Sequence, residues 1–186
     1  MDELRAVARF ASDCAEELLP VFETVAPNDL RPREAIIAAR TFAGGAARSN
    51  LQRTAAVASH RAAKSVSEET ARLAALACGD AAAAAYLHPI AKASQVGHIL
   101  RAAALAARVA ELRAGGTDHE GVRRQLDRAH APVPEILRRY PAAPSGGSRV
   151  AQIIQQLDSA IRERSEIPPR RGHDTGTPPG SARSVG

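Results

Sequence analysis

The sequence contains no tryptophan, few other aromatic residues and only two cysteines, and each scarcity excludes a class of protein. Aromatic residues are 3% of the chain, so a platform of rings for stacking nucleic acid bases is excluded. Cys14 and Cys78 lie far apart, without a CxxC pair or paired histidines. This pattern is typical of small buried residues in a reducing compartment.

Long apolar segments are also missing from the sequence. No run approaches the ~20 apolar residues that a membrane helix needs, so we predict no membrane span and no membrane partner. The acidic start MDEL leads into an amphipathic segment, which is not the pattern of a signal peptide. The protein is therefore expected to be cytoplasmic.

Alanine supplies much of the apolar content that the sequence does have. Hydrophobic residues are 45% of the 186 residues, a globular composition with room for one domain of ordinary size. Because each alanine buries little area, such a core requires helices that pack close together. No segment has a convincing strand pattern, and the predicted fold class is all-α.

Helical periodicity and turn residues divide the chain into six to seven predicted helices that form one compact bundle. Pro20 lies inside the first pattern and is expected to kink or split that helix. The longer helices are predicted over 3–25, 32–43, 48–66, 67–86, 90–113, 117–129 and about 148–163. A brief helical turn that ends at Tyr140 is predicted between the last two. These helices form a domain over 1–163, and the Pro-, Gly- and Arg-rich tail, 164–186, is predicted to be disordered.

Three local patterns make sharper predictions about these helices. A capping box formed by Ser65 and Glu68 predicts a helix start near Ser67. The inward stripe of the helix over 48–66 is predicted to be Leu51, Ala55, Ala58, Ala62 and Val66. The clearest stripe in the chain belongs to the last helix and consists of Val150, Ile153, Ile154, Leu157 and Ile161.

Asp80 is a carboxylate on the apolar face of the helix over 67–86. Such a group needs a partner, and the candidates are an arginine or His88. A structural role between helices is favoured over catalysis. No catalytic residue, cofactor or metal site is predicted, because the six histidines have neither HxxxH nor HExxH spacing.

A cleft that brings together Asp80, His88, Lys92 and His98 would support a different function. Carboxylate, imidazole and amine groups in one pocket are typical of acid–base chemistry or of small-ligand binding. An uncharacterised enzyme or ligand-binding helical protein is therefore the alternative. Tyr86 and Gln95 flank this cluster, and His60 lies on a basic face that it shares with Arg53 and Lys64.

The formal net charge of +5 permits attraction to nucleic acid or to an acidic partner but demands neither. Basic residues are spread over several helices and no DNA-reading module is present, so nucleic acid binding ranks third. Arg31, Arg33 and Arg40 belong to one predicted helix, and Arg33 and Arg40 share a face that could bind an anion. Arg149 follows a Ser-Gly-Gly-Ser segment that opens the last helix, which offers a weak anion site.

Four segments of the chain carry a resemblance to a known family. They are DLRPREAIIAARTFAGG (29–45), SHRAAK (59–64), CGDAAAAAYLHPIAKASQVGHILRAAALAAR (78–108) and RRYPAAPSGGSRVAQIIQQLD (138–158). The specific parts are the Tyr-Leu-His-Pro…Lys…Gln…His spacing and Tyr-Pro…Ser-Gly-Gly-Ser-Arg. Over most of 1–163 the sequence resembles the all-helical immunity proteins of bacterial toxin–immunity systems, a group common in actinobacteria.

The resemblance implies a non-enzymatic protein that neutralises a cognate toxin by binding it. The segment 80–98 and the helix of Arg31 and Arg40 are then the expected recognition surfaces. Because this chain is basic, its toxin partner is expected to present an acidic contact surface.

Overall fold

The computed structural model describes residues 1–87, 91–116 and 119–164. These ranges contain nine α-helices and no strand, so the all-α fold class is confirmed and the predicted six to seven helices are too few. From the N-terminus the helices are α1 (Asp2–Glu16), α2 (Leu19–Val25), α3 (Arg31–Ala43), α4 (Asn50–Ala63), α5 (Glu69–Ala83), α6 (Val96–Ala114), α7 (His119–Arg128), α8 (Val133–Leu137) and α9 (Arg149–Arg164).

The two additional helices arise at prolines. The pattern predicted over 3–25 splits between α1 and α2, and Pro20 lies in the first turn of α2, where its missing N–H costs nothing. The brief turn before Tyr140 is the short helix α8, with Pro134 in its first turn. The predicted split at Pro20 is therefore confirmed.

One predicted cap and one predicted helix start are wrong. A helix does begin near Ser67, at Glu69, but the Ser65–Glu68 capping box does not form. Glu68 is itself the N-cap and accepts hydrogen bonds from the backbone N–H groups of Thr70 and Ala71. The helix predicted from residue 90 begins at Val96. Lys92 is extended, with φ −111° and ψ 141°, and one 3-10 turn, Ala93–Gln95, separates it from α6.

Helix α5 lies at the centre of the bundle and packs against α1, α2, α3, α4 and α6. Its fully buried residues are almost all alanine, on several sides of the helix. Cys78 is buried among them, and Cys14 is buried on α1, as the sequence predicts. Short side chains allow neighbouring helix axes to approach closely, so the core is built from many small contacts.

Helix α4 is rotated relative to the prediction. Leu51, expected inside, is 51% exposed, and Ala58 is only half-buried. Gln52 and Ser59 are buried instead, and they donate hydrogen bonds to the carbonyl oxygens of Ala38 at 3.3 Å and Ala75 at 2.7 Å. Two satisfied polar groups against the neighbouring helices outweigh the exposure of one leucine.

Helix α9 covers α6 with the predicted stripe. Ile153, Leu157 and Ile161 are fully buried, while Val150 and Ile154 are half-buried. The predicted tail lies outside the described residues except for Arg164, which ends α9. Within the described ranges, no helix combines the length and the apolarity that spanning a membrane requires.

Candidate functional site

The outer face of α4 carries positive charge that no nearby carboxylate neutralises. Between Glu34 and Glu68 the chain contains no acidic residue. Arg53, Arg61 and Lys64 fall on one side of α4, and Arg48 immediately precedes the helix. All four are exposed, and none forms an ion pair with a carboxylate of the described ranges. We call these four residues the α4 basic face.

Tyr86 anchors one end of this face. The guanidinium carbons of Arg48 and Arg53 lie 5.4 Å and 4.9 Å from the centre of its ring. The phenol O–H donates a 2.6 Å hydrogen bond to the carbonyl oxygen of Ser49. Each cation–π contact contributes about 0.5–1 kcal/mol at an exposed site, so the two arginines are held in place without losing charge.

His60 and Asp80 meet where α4 crosses α5. The crossing is close because position 79 has no side chain: a Cβ on Gly79 would lie 2.3 Å from Cδ2 of His60 and 3.0 Å from the Ala56 carbonyl oxygen. His60 Nε2 is 3.4 Å from Asp80 Oδ1, within ion-pair distance, but it forms no hydrogen bond with any described atom.

Arg101 of α6 is the second partner of Asp80. Its Nη1 lies 3.6 Å from Asp80 Oδ1, and the carboxylate is buried while the guanidinium is largely exposed. Of the two predicted kinds of partner, an arginine or His88, an arginine lies beside the buried carboxylate, and the next long helix supplies it. His88, the other predicted partner, lies outside the described residues.

His98 lies half-buried in the first turn of α6. Burial lowers the pKa of His98, the charge of Arg101 lowers it further, and the charge of Asp80 opposes both. The imidazole is therefore neutral above that lowered pKa. His98 borders the Asp80 cluster electrostatically but does not line the groove beside it.

A groove of about 690 Å³ runs between α4, α5 and α6, with α9 at its side. Its floor is apolar and consists of Leu73, Leu76, Leu105 and Val150. Four basic side chains surround that floor, namely His60, Lys64, Arg72 and Arg101. We call this feature the basic groove. It shares Lys64 with the α4 basic face, so the two form one continuous surface.

The arginines of α3 are already neutralised inside the molecule. Arg31 pairs with Asp29 at 2.5 Å. The hydrogen bond that Arg31 donates is the largest cause of the lowered pKa of the Asp29 carboxyl. Arg33 pairs with Glu23 at 2.6 Å. Arg40 pairs with Asp13 at 2.9 Å and with Glu16. These cations have less charge to offer a partner than the α4 basic face.

The remaining predicted site residues do not converge on the Asp80 cluster. Lys92 is exposed before the 3-10 turn, and Gln95 belongs to that turn, where it has an interaction of its own. Neither residue lines the basic groove. Across the described part of the chain, no group of three His, Cys, Asp or Glu side chains could hold a metal ion.

Arg149 has a structural partner. It donates hydrogen bonds to both carboxylate oxygens of Glu111, at 2.5 Å and 3.1 Å, and Arg108 adds a third at 3.2 Å. Glu111 is only 2% exposed. The hydrogen bond from Arg149 is the largest cause that lowers the pKa of Glu111 below its ordinary 4.5. The pair joins α6 to α9.

Replacing Arg149 by alanine is expected to lower the free energy of unfolding by about 1–2 kcal/mol at neutral pH, because Glu111 loses its main partner. The loss is below that of a fully buried pair, since Arg149 is partly exposed. The pKa of Glu111 is lower in the folded state than in the unfolded state, so its ion pair stabilises the fold at pH values above the unfolded-state pKa. The difference in the free energy of unfolding between wild type and variant should therefore shrink as the pH falls below about 4.5.

Urea unfolding at several pH values would measure this effect. Arg138→Ala is the matched control, because Arg138 and its partner Glu135 are both exposed and their pair contributes little. If the difference in unfolding free energy between wild type and Arg149→Ala grew as the pH falls, the stabilising role assigned to the Arg149–Glu111 pair would be wrong.

Sequence reasoning missed six basic residues as site residues, namely Arg48, Arg53, Arg61, Lys64, Arg72 and Arg101. A signal existed for the first four, because a stretch of 33 residues without a carboxylate predicts an unpaired basic surface. The proximity of Arg101 to Asp80 depends on how α5 and α6 pack, which no local pattern encodes.

The fold and this surface define an all-helical protein with an unpaired cationic face and an apolar-floored groove. Residues 2–132 match the family model described as "Imm-5 like putative immunity protein", and the chain belongs to that family. The resemblance drawn from the sequence is thereby confirmed at the level of the family. Neither the curated proteins nor the solved structures contain a match to this chain.

Proposed function

We propose that this protein is an immunity protein that neutralises a cognate protein toxin by binding it, without catalysing a reaction. The observation that carries the proposal is membership of the immunity family across residues 2–132, which include α1 to α7. A cytoplasmic site of action and an actinobacterial origin stay predictions.

The α4 basic face is the proposed contact surface. Its cations have no carboxylate partner among the described residues, so an acidic surface of the toxin would supply opposite charges that this part of the chain does not. By contrast, Arg31, Arg33 and Arg40 would each have to give up an existing ion pair. Charge of one sign on one face also accelerates encounter with an acidic partner, more strongly at low salt.

The proposal is tested with the toxin encoded beside this protein's gene. We expect co-expression of the wild-type chain to restore growth of cells that produce the toxin, and the purified pair to form a complex. Arg53→Glu/Arg61→Glu should weaken that complex at least about tenfold, and more at low salt, because it opposes like charges across the interface.

Arg123→Glu is the matched control for this test. Arg123 is an exposed arginine on α7, away from the α4 basic face, and should bind the toxin like wild type. Absence of both growth rescue and complex formation with the wild-type chain would refute the proposed function. If the wild-type chain rescues growth and Arg53→Glu/Arg61→Glu binds the toxin equally well, only the assignment of the α4 basic face as the contact surface would be refuted.

A small-ligand pocket is the second candidate function. The volume of the basic groove, about 690 Å³, lies within the range of about 300–1,000 Å³ that ligand sites occupy. Of the predicted cluster, however, only Asp80 lines it among the described residues. Saturable binding of a small organic anion in the groove, without any toxin binding, would favour this candidate.

A further inference from the structure

We propose that the basic groove receives an acidic segment of the protein partner, with an apolar side chain on the groove floor and carboxylates at Lys64 and Arg72. This inference rests on the proposed function, because it assigns part of the toxin contact. It adds the chemistry that the toxin segment must carry: a leucine-like residue flanked by aspartate or glutamate.

The two sides of the groove differ in charge, and this difference orients the segment. At one end the C-terminus of α4 and the first turn of α5 bring Lys64 and Arg72 together, and neither has a carboxylate partner within the described chain. At the other end Asp80 is accompanied by His60 and Arg101. The carboxylates of an incoming segment are therefore attracted to the Lys64–Arg72 end and gain little at the Asp80 end.

The floor between these ends supplies the apolar contact. Leu76 and Val150 are half-buried, so part of their surface faces solvent in the groove, while Leu73 and Leu105 are buried beneath. Covering such apolar surface contributes about 25 cal/mol per Å². An aliphatic side chain fits this floor better than water does, and the surrounding cations select a segment that is also acidic.

Two observations favour a protein segment over a free small anion. The groove continues into the α4 basic face through Lys64, so one extended acidic surface would contact both. The groove is also partly open to solvent rather than enclosed by the helices around it. Small-molecule sites instead bury most of the ligand's surface. A partly open groove with basic side chains around it is suited to a protein segment that enters and leaves it.

The probe for this proposal is the peptide acetyl-Gly-Glu-Glu-Leu-Leu-Glu-Gly-amide, titrated into the isotope-labelled full chain and followed by NMR. We expect saturable shifts at Leu73, Leu76 and Leu105. The counterpart with Gln in place of each Glu should bind at least tenfold more weakly, and Lys64→Glu/Arg72→Glu should reduce affinity for the acidic peptide by a similar factor. Arg123→Glu/Arg138→Glu, which changes exposed arginines outside the groove, should have no effect.

Three results would overturn the inference: no saturable shift at the groove leucines, equal binding of the Gln peptide, or binding of octanoate where the peptide does not bind. An unchanged melting temperature of Lys64→Glu/Arg72→Glu shows that this variant is folded, as expected for two exposed residues. In the growth-rescue assay, full rescue by this variant would defeat the inference while the proposed function stands. Failure of the wild-type chain to rescue would defeat the function itself.

Discussion

Replacement of Phe42 by alanine is expected to lower the free energy of unfolding by about 3–5 kcal/mol. Phe42 is fully buried on α3, in a chain that has only three phenylalanines. The substitution removes the burial of a large ring and leaves a cavity behind it. The buried residues of α4 and α5, which pack on α3, are mostly alanine. Since alanine has no rotamer that can move into the space, the cavity should collapse little and the loss should lie near the upper end.

Ile37→Ala in the same helix is the matched control. Ile37 is 58% exposed, so its removal should change the free energy of unfolding by no more than about 0.5 kcal/mol. Urea unfolding of the two variants and the wild type, with equal m-values, would provide the comparison. A loss below about 1 kcal/mol for Phe42→Ala would mean that the alanine-rich core repacks freely.

Gly79→Ala should lower the free energy of unfolding by about 2–3 kcal/mol, although alanine is the better helix former by about 1 kcal/mol. The new methyl group would lie 2.3 Å from Cδ2 and 2.5 Å from Nε2 of His60, and 3.0 Å from the carbonyl oxygen of Ala56. The imidazole is a side chain and can turn away, at the expense of its contact with Asp80. The Ala56 carbonyl belongs to α4, so relieving that contact requires the two helices to separate.

A double-mutant cycle tests this explanation. We expect the double variant His60→Ala/Gly79→Ala to lose less free energy of unfolding than the two single variants lose together, by about 1 kcal/mol or more. The reason is that the ring that obstructs the new methyl group is gone. Gly97→Ala on α6 is the control, since its methyl group would meet only the movable guanidinium of Arg101 at 3.0 Å. Additive effects of the two substitutions would show that His60 does not limit the α4–α5 approach.

The close approach at Gly79 also relates stability to the proposed binding surface. The absence of a side chain there lets His60 lie beside Asp80, and both residues line the basic groove. A variant that separates α4 from α5 should therefore weaken peptide binding in the groove as well as lower stability. The substitution Phe42→Ala, on α3, tests the core without touching a residue that lines the groove.

The sequence by itself determined the class of fold and the positions of several helix ends. Proline in a first turn and glycine after a last turn act through the local backbone. The split at Pro20 and the end of α6 at Gly115, with φ 71°, follow from sequence for that reason. The stripe Ile153, Leu157 and Ile161 was also predictable, because large aliphatic residues at helical spacing leave only one face to bury.

Only the tertiary structure decided which face of α4 is buried and which arginines carry free charge. In an alanine-rich helix the differences in hydrophobicity around the axis are small, so the hydrogen bonds of Gln52 and Ser59 to neighbouring helices decide its rotation. Whether an arginine is neutralised depends on carboxylates far away in sequence, as Arg149 with Glu111 shows. The candidate binding surface is what those long-range pairings leave unpaired. The stretch without carboxylates between Glu34 and Glu68 indicates its basic character, but only the packed helices show which arginines keep their charge free.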